Sequence, residues 1–161
     1  PAMELQEATP REPGSEEYLD SEKYELKQWD LEATDTLAPF IARLNHIRNS
    51  EAALRINTPA VSETIDEKSL LAWSRFDPSS GNHVLVVVNL EPNKTRTGRI
   101  TLRASHSGIK APTSFSITNL LTGKERVTSV DSFSVTCTQA DPVVALRLTP
   151  IFDVTEDDAH A

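Results

Sequence analysis

Lys23 and Tyr24 are the residues of this chain whose types best suit recognition of a small polar ligand. An ammonium and a phenol stand side by side, Asp20 and Glu22 lie beside them, and Tyr18 and Trp29 are close in sequence. A sugar site needs donors and acceptors matched to hydroxyls together with an aromatic platform, and this cluster supplies both. The same residues admit a plainer reading, in which Tyr18, Tyr24 and Trp29 pin a loop to a neighbouring surface while the charges stay solvated. By residue type alone the two readings stay open.

Little else in the chain has the spacing of a reactive centre. His46, His83, His106 and His160 are scattered without metal-ligand spacing, and no CxxC or HExxH occurs. The single cysteine, Cys137, excludes an internal disulfide. It sits in the alternating run 133–138 and reads as a small buried hydrophobe, not a nucleophile. Asp66, Glu67, Asp77, Asp131 and Asp141 fall in expected turns, where a carboxylate serves the backbone. Paired-carboxylate catalysis needs two acids about 5–10 Å apart on rigid elements, and nothing marks out such a pair. Asn93-Lys94-Thr95 matches a glycosylation sequon and reads as a turn. No catalytic residue, metal ligand or cofactor is therefore assigned from the residues.

The formal net charge of -8 and the absence of a basic stripe argue against nucleic acid as a partner. The acidity is read as a solubility device. The polar, acidic N-terminal stretch has neither a signal-peptide pattern nor an apolar span, so the expected location is the cytoplasm, with no membrane partner.

The elements that would position Lys23 and Tyr24 are unevenly distributed. Residues 1–35 are irregular, with a turn-rich stretch at Pro10-Arg11-Glu12-Pro13-Gly14-Ser15. Residues 36–49 predict one amphipathic helix, since Leu37, Phe40, Ile41, Leu44 and Ile47 recur at helical spacing. Asp35 or Thr36 can cap it, and Pro39 is tolerated that early. Burying five such side chains is worth roughly 1.5–3 kcal/mol each, so the stripe calls for a partner surface.

From residue 54 the pattern is β. Strands are predicted at 53–57, 70–76, 83–90, 98–103, 114–120, 125–128, 132–138 and 143–148, with turn residues in nearly every gap. The run His83-Val84-Leu85-Val86-Val87-Val88-Asn89-Leu90 is the most apolar and reads as a central strand buried on both faces. The gap Leu121-Thr122-Gly123-Lys124 predicts a tight hairpin turn. The expected fold class is mainly β, an antiparallel β-sandwich preceded by a loop and one amphipathic helix. Glu156-Asp157-Asp158 and their neighbours form an acidic tail expected to be disordered.

Several of these stretches resemble one family. The run Glu16-Glu17-Tyr18-Leu19-Asp20-Ser21-Glu22-Lys23-Tyr24-Glu25 followed by Trp29-Asp30 is similar to the end of the catalytic barrel in α-1,4-glucan:maltose-1-phosphate maltosyltransferases, members of the α-amylase superfamily. Leu44-Asn45-His46-Ile47-Arg48 resembles their last barrel helix. Leu70-Leu71-Ala72-Trp73-Ser74-Arg75, 84–92 and Asn119-Leu120-Leu121-Thr122-Gly123 resemble their C-terminal β domain. The resemblance covers roughly residues 11–150. The chain departs from it after the helix, where Asn49-Ser50-Glu51-Ala52-Ala53-Leu54 replaces the usual Glu-Asn-Pro-Ala-Leu, and at Asn119, where the family tends to have Asp.

The resemblance implies a division at 1–53 (the last loop and helix of a (β/α)8 barrel), 54–150 (an amylase-type C-terminal β-sandwich) and 151–161 (the tail). It implies that the chain is a C-terminal fragment, inactive alone, because the nucleophilic Asp and the general acid Glu belong to earlier barrel segments. The parent would transfer maltosyl units from maltose 1-phosphate to the non-reducing end of α-1,4-glucans with retention, without metal or organic cofactor. Its partners would be those two substrates, the remaining barrel domain and a second subunit. Lys23 and Tyr24 match a Lys-Tyr pair that contacts the bound maltosyl unit. An independent carbohydrate-binding β module is the competing reading, and exposed aromatics on one sandwich face would favour it.

Overall fold

The computed structural model describes residues 2–21, 26, 28–102, 114–129 and 132–152. The chain divides into two compact units, Pro1–His46 and Ile47–Ala161.

In the first unit the turn-rich stretch folds back on itself. Pro10 and Tyr18 form an antiparallel bridge. Arg11 N–H donates to Glu17 O at 2.8 Å and Leu19 N–H to Thr9 O at 2.8 Å. Gly14, at φ +82°, supplies the left-handed residue at the bend. The Arg11 guanidinium lies 3.1 Å from the Glu17 carboxylate, an exposed pair that adds little. Leu37 N–H reaches back to Glu4 O at 2.7 Å, which ties the start of the loop to the start of the helix.

The helix, α1 (Ala38–Ser50), forms as expected but begins two residues later and ends one later than the expected 36–49. The Thr36 hydroxyl accepts the Ala38 N–H at 3.3 Å, and Pro39 lies in the first turn, where a missing N–H leaves no bond unmade. The apolar stripe is largely open, however. Ile47 is buried, but Leu37 is 38% exposed, Phe40 46% and Leu44 37%.

The second unit is an antiparallel sandwich, as the alternation predicted. After the four-residue helix α2 (Ala52–Arg55) come β1 (Val61–Ser62), β2 (Thr64–Ile65), β3 (Leu70–Asp77), β4 (Asn82–Asn89), β5 (Arg96–Thr101), β6 (Ser114–Asn119), β7 (Glu125–Ser129), β8 (Ser132–Cys137) and β9 (Val143–Ile151). One sheet runs β1-β3-β4-β9-β6-β7 and the other β2-β5-β8, with all pairs antiparallel. Alternate residues from both sheets meet in the core: Leu70, Ala72, Leu85, Val87, Ile117, Val144, Leu146 and Leu148 from the larger, Ile100, Phe133, Val135 and Cys137 from the smaller.

Strand β4 is an interior strand, hydrogen-bonded to β3 and β9. Its two faces differ. Leu85 and Val87 are fully buried in the core, while on the other face Val84 is buried and Val86 and Val88 are half-buried. The strand stops one residue short of the apolar run, and Leu90 is 59% exposed. Asn89 ends it: its Oδ1 accepts the Glu91 N–H at 3.0 Å and its Nδ2 donates to Lys94 O at 2.7 Å.

Two parts of the strand prediction are corrected. Residues 53–57 are not a strand. Ala52, Ala53 and Leu54 are strong helix formers and make one helical turn, with Ala53 completely buried. Strands β1 and β2 went unforeseen because two residues carry no readable period. Between them Glu63 carries the chain from one sheet to the other. It is buried, donates its N–H to Ala72 O at 3.0 Å and accepts the Ser74 hydroxyl at 2.5 Å. Sheet-switching strands of this kind make the corners of a sandwich.

Gly98, on β5, is required by close approach. A Cβ there would lie 2.7 Å from Ile65 Cγ1 and 2.9 Å from Ile65 Cδ1. Gly98→Ala is expected to force Ile65 aside and destabilise the fold by about 1–3 kcal/mol, read from the denaturant midpoint. A midpoint unchanged from wild type would show that Ile65 yields freely.

Candidate functional site

Lys23, Tyr24 and the neighbouring Glu22 lie outside the described residues, so only their approach is visible. Tyr18 is held in the bridge to Pro10 and is 42% exposed. Asp20 follows in the left-handed region at φ +53°, where Asp is one of the few non-glycine residues found with any frequency. Trp29 is half-buried. The segment before Lys23 is thus a fastened loop rather than a free linker.

In the second unit the acids behave as turn chemistry. Asp66 Oδ1 accepts the Arg99 N–H at 2.7 Å, and Glu67 Oε1 accepts the Ser69 N–H at 2.9 Å. Asp77 accepts the Ser80 hydroxyl and the Ser79 N–H across the β3–β4 turn, and these bonds hold its carboxyl below the usual range. At Asp141 the backbone N–H donates to Thr138 Oγ1. Asp131 lies outside the described residues. Glu91 is held down to about 2, chiefly by Arg96, with Ser69 and Lys94 also donating to it. Among the described residues no group of three or more His, Cys, Asp or Glu could hold a metal ion. Cys137 is fully buried, and burial pushes its thiol up and away from reactivity.

The Asn119 turn shows how a family position tolerates substitution. Asn119 Oδ1 accepts the N–H groups of Leu121 (2.9 Å) and Thr122 (3.2 Å), while Gly123 at φ +74° closes the turn. An aspartate would accept the same bonds, so Asn119 keeps the turn intact.

The most highly organised polar cluster is one that the sequence reading passed over. Glu51 follows α1, is 1% exposed, and its carboxylate takes both Nε (3.0 Å) and Nη2 of Arg147 on β9. Asn82 on β4 donates Nδ2 to the same carboxylate at 2.7 Å, and its Oδ1 accepts the Ala53 N–H at 2.9 Å. Burial alone would raise the Glu51 carboxyl, but the bonds from Arg147 and Asn82 and the Arg147 charge outweigh it and leave it lowered. Its contribution to stability is therefore complete above the ordinary glutamate range and is lost as pH falls through the folded value. The available sign was Arg147 itself, one charge in the apolar run Val143-Val144-Ala145-Leu146-Arg147-Leu148. The cluster fastens the end of α1 and α2 to β4 and β9.

The aromatics of this unit do not form a platform. Of Trp73, Phe76, Phe115, Phe133 and Phe152, only Phe152 is exposed. Among the described residues no helix is long and apolar enough to cross a membrane.

Comparison with known proteins gives these features a context. Residues 62–138 match the family model described as "GLGE, C-terminal". The chain is 37% identical over 155 residues to the α-1,4-glucan:maltose-1-phosphate maltosyltransferase of Corynebacterium glutamicum, covering 94% of this chain and 21% of that protein. The like-named proteins of Methylacidiphilum infernorum and Mycolicibacterium smegmatis are each 40% identical, over 75% and 70% of this chain and 18% and 17% of theirs. The chain thus spans about a fifth of the length of the curated relatives it matches. Among solved structures an Anoxybacillus α-amylase superposes with a TM-score of 0.54 at 12% identity, over 76% of this chain and 25% of that one, a likeness of fold. With an amylase-like β-sandwich and this level of identity, the chain belongs to the α-1,4-glucan:maltose-1-phosphate maltosyltransferase family, as a C-terminal portion of it.

Proposed function

We propose that the chain is the C-terminal part of an enzyme that moves maltosyl units from maltose 1-phosphate to the non-reducing end of an α-1,4-glucan. The observation that carries this is the 37% identity to a named maltosyltransferase across 94% of the chain. The open stripe of Phe40 and Leu44 on α1, with Leu37 just before it, fits a helix whose partner surface belongs to a larger protein. In this reading 1–53 completes a catalytic barrel, 54–150 is the C-terminal sandwich and 151–161 a tail. The parent is a cytoplasmic homodimer.

The reaction proceeds with retention. A barrel carboxylate attacks the anomeric carbon as the bond to phosphate breaks and the acid–base residue gives its proton to the departing phosphate, leaving a covalent maltosyl-enzyme and free phosphate. The 4-hydroxyl of the glucan end then attacks the same carbon, releases the carboxylate and gives up its proton to the acid–base residue. Both acids belong to barrel segments upstream of the matched portion. Lys23 and Tyr24 donate to different hydroxyls of the maltosyl unit and hold it for attack. A free-standing carbohydrate-binding module has less support, since Phe152 is the lone exposed aromatic described in the sandwich unit.

The test is phosphate release from maltose 1-phosphate with an α-1,4-glucan present. The complete polypeptide is expected to release phosphate and lengthen the glucan, and the 161-residue chain to do neither. Turnover by the purified short chain, or none by the complete polypeptide, would overturn the reading.

A further inference from the structure

We propose that residues 47–56, the corner formed by the end of α1 and α2, are a separately releasable element, docked chiefly through the buried carboxylate of Glu51 and freed without unpairing the strands. The inference rests on geometry within Ile47–Ala161 and not on the proposed reaction.

The corner has little stability of its own. Helix α2 is four residues long, and an isolated turn of helix does not persist in water. Its fully or nearly buried side chains are Ile47, Glu51 and Ala53. It is held instead by polar side chains from three adjacent strands. Arg75 on β3 donates to Ile56 O at 3.2 Å, Asn82 on β4 bonds both Glu51 and Ala53, and Arg147 on β9 holds both oxygens of Glu51. Arg75, Val84 and Arg147 are directly paired across β3, β4 and β9, so the corner is gripped along one row of the sheet. Glu125 is the further charge that acts on Arg147.

That row points away from the core. Successive residues of a strand face opposite sides, so Arg75, Val84 and Arg147 lie on the outer face, while Ala72, Leu85, Val87, Val144 and Leu146 fill the sandwich. Lifting the corner leaves these contacts and the strand ladders untouched. The Arg147 side chain is already 42% exposed, so water can take its guanidinium on release. Elements held this way open at free energies below that of global unfolding. The consequence is a corner that stays folded on the sheet while Glu51 is held and opens locally when it is not.

Residue-resolved amide exchange on the 161-residue chain tests this. Glu51→Gln removes the charge, and Arg147→Lys keeps a charge but loses the two-pronged grip. Each is expected to speed exchange at Ala53, Leu54 and Ile56 at least tenfold, while the β4 and β9 amides between Val84 and Leu148 stay within about twofold of wild type. An equal rise in both sets would show that the corner and sheet open as one, and no rise at the corner would show that Glu51 does not hold it. Failure of both variants to fold would overturn the proposal in the same sense as the equal rise.

Discussion

Lys23→Ala in the complete enzyme is expected to lower kcat/KM for maltose 1-phosphate by about one to two decades. A hydrogen bond from a charged donor in a water-poor cleft contributes about 1.5–3 kcal/mol, and a neutral one about 0.5–1.5 kcal/mol. Tyr24→Phe, which keeps the ring and its packing, is expected to cost up to about one decade. The tyrosine variant is the cleaner probe, because Phe keeps the ring whereas Ala removes the whole Lys23 side chain. Steady-state kinetics with thermal stability measured alongside separates the two effects. If both variants stay within twofold of the parent, the pair is structural and has no part in binding the maltosyl unit. In the isolated chain neither substitution is expected to alter maltose binding.

The largest expected effect on stability is at Leu85. The side chain is fully buried between the sheets, in contact with the cluster that includes Ile117, Phe133 and Leu146. Leu85→Ala removes apolar contact and leaves a cavity that rigid strands on either side close only in part, a loss of about 2–5 kcal/mol. Leu90→Ala, five positions on in the same apolar run, is expected to change stability by no more than about 0.5 kcal/mol, since that side chain is 59% exposed and lies past the end of β4. Chemical denaturation of the two variants provides the comparison. Similar losses at both positions would mean that burial does not distinguish them, contrary to the fold described.

The two leucines illustrate how far the sequence could be read. The class of the fold was legible because alternation along 98–103, 132–138 and 143–148 is local information: period two places every second side chain on one face. The central place of β4 was legible for a similar reason, since a β-branched run with turn residues on both sides has few other stable uses. The point at which that strand ends was not. It depends on Asn89 finding Lys94 O across a loop. The short strands β1 and β2 were likewise invisible, because their pairing with β3 and β5 defines them and their own residues do not. Residues 53–57 were misread for the complementary reason: propensity for a helical turn is real in Ala-Ala-Leu, but the β context around it suggested otherwise.

The candidate site divides along the same line. Lys23 and Tyr24 were named from residue type and from resemblance to a family, both of which are properties of the linear sequence, and the identity to named maltosyltransferases bears on the same level. Glu51, Asn82 and Arg147 could be joined only in three dimensions. They are 31, 65 and 96 positions apart, and no local pattern links a carboxylate after a helix to an arginine on the ninth strand. Sequence by itself determined the seven longer strands, the helix and the family. The tertiary structure decided which face of each element is covered, where strands stop and which charges pair, because burial and pairing depend on long-range proximity that the order of residues does not encode locally.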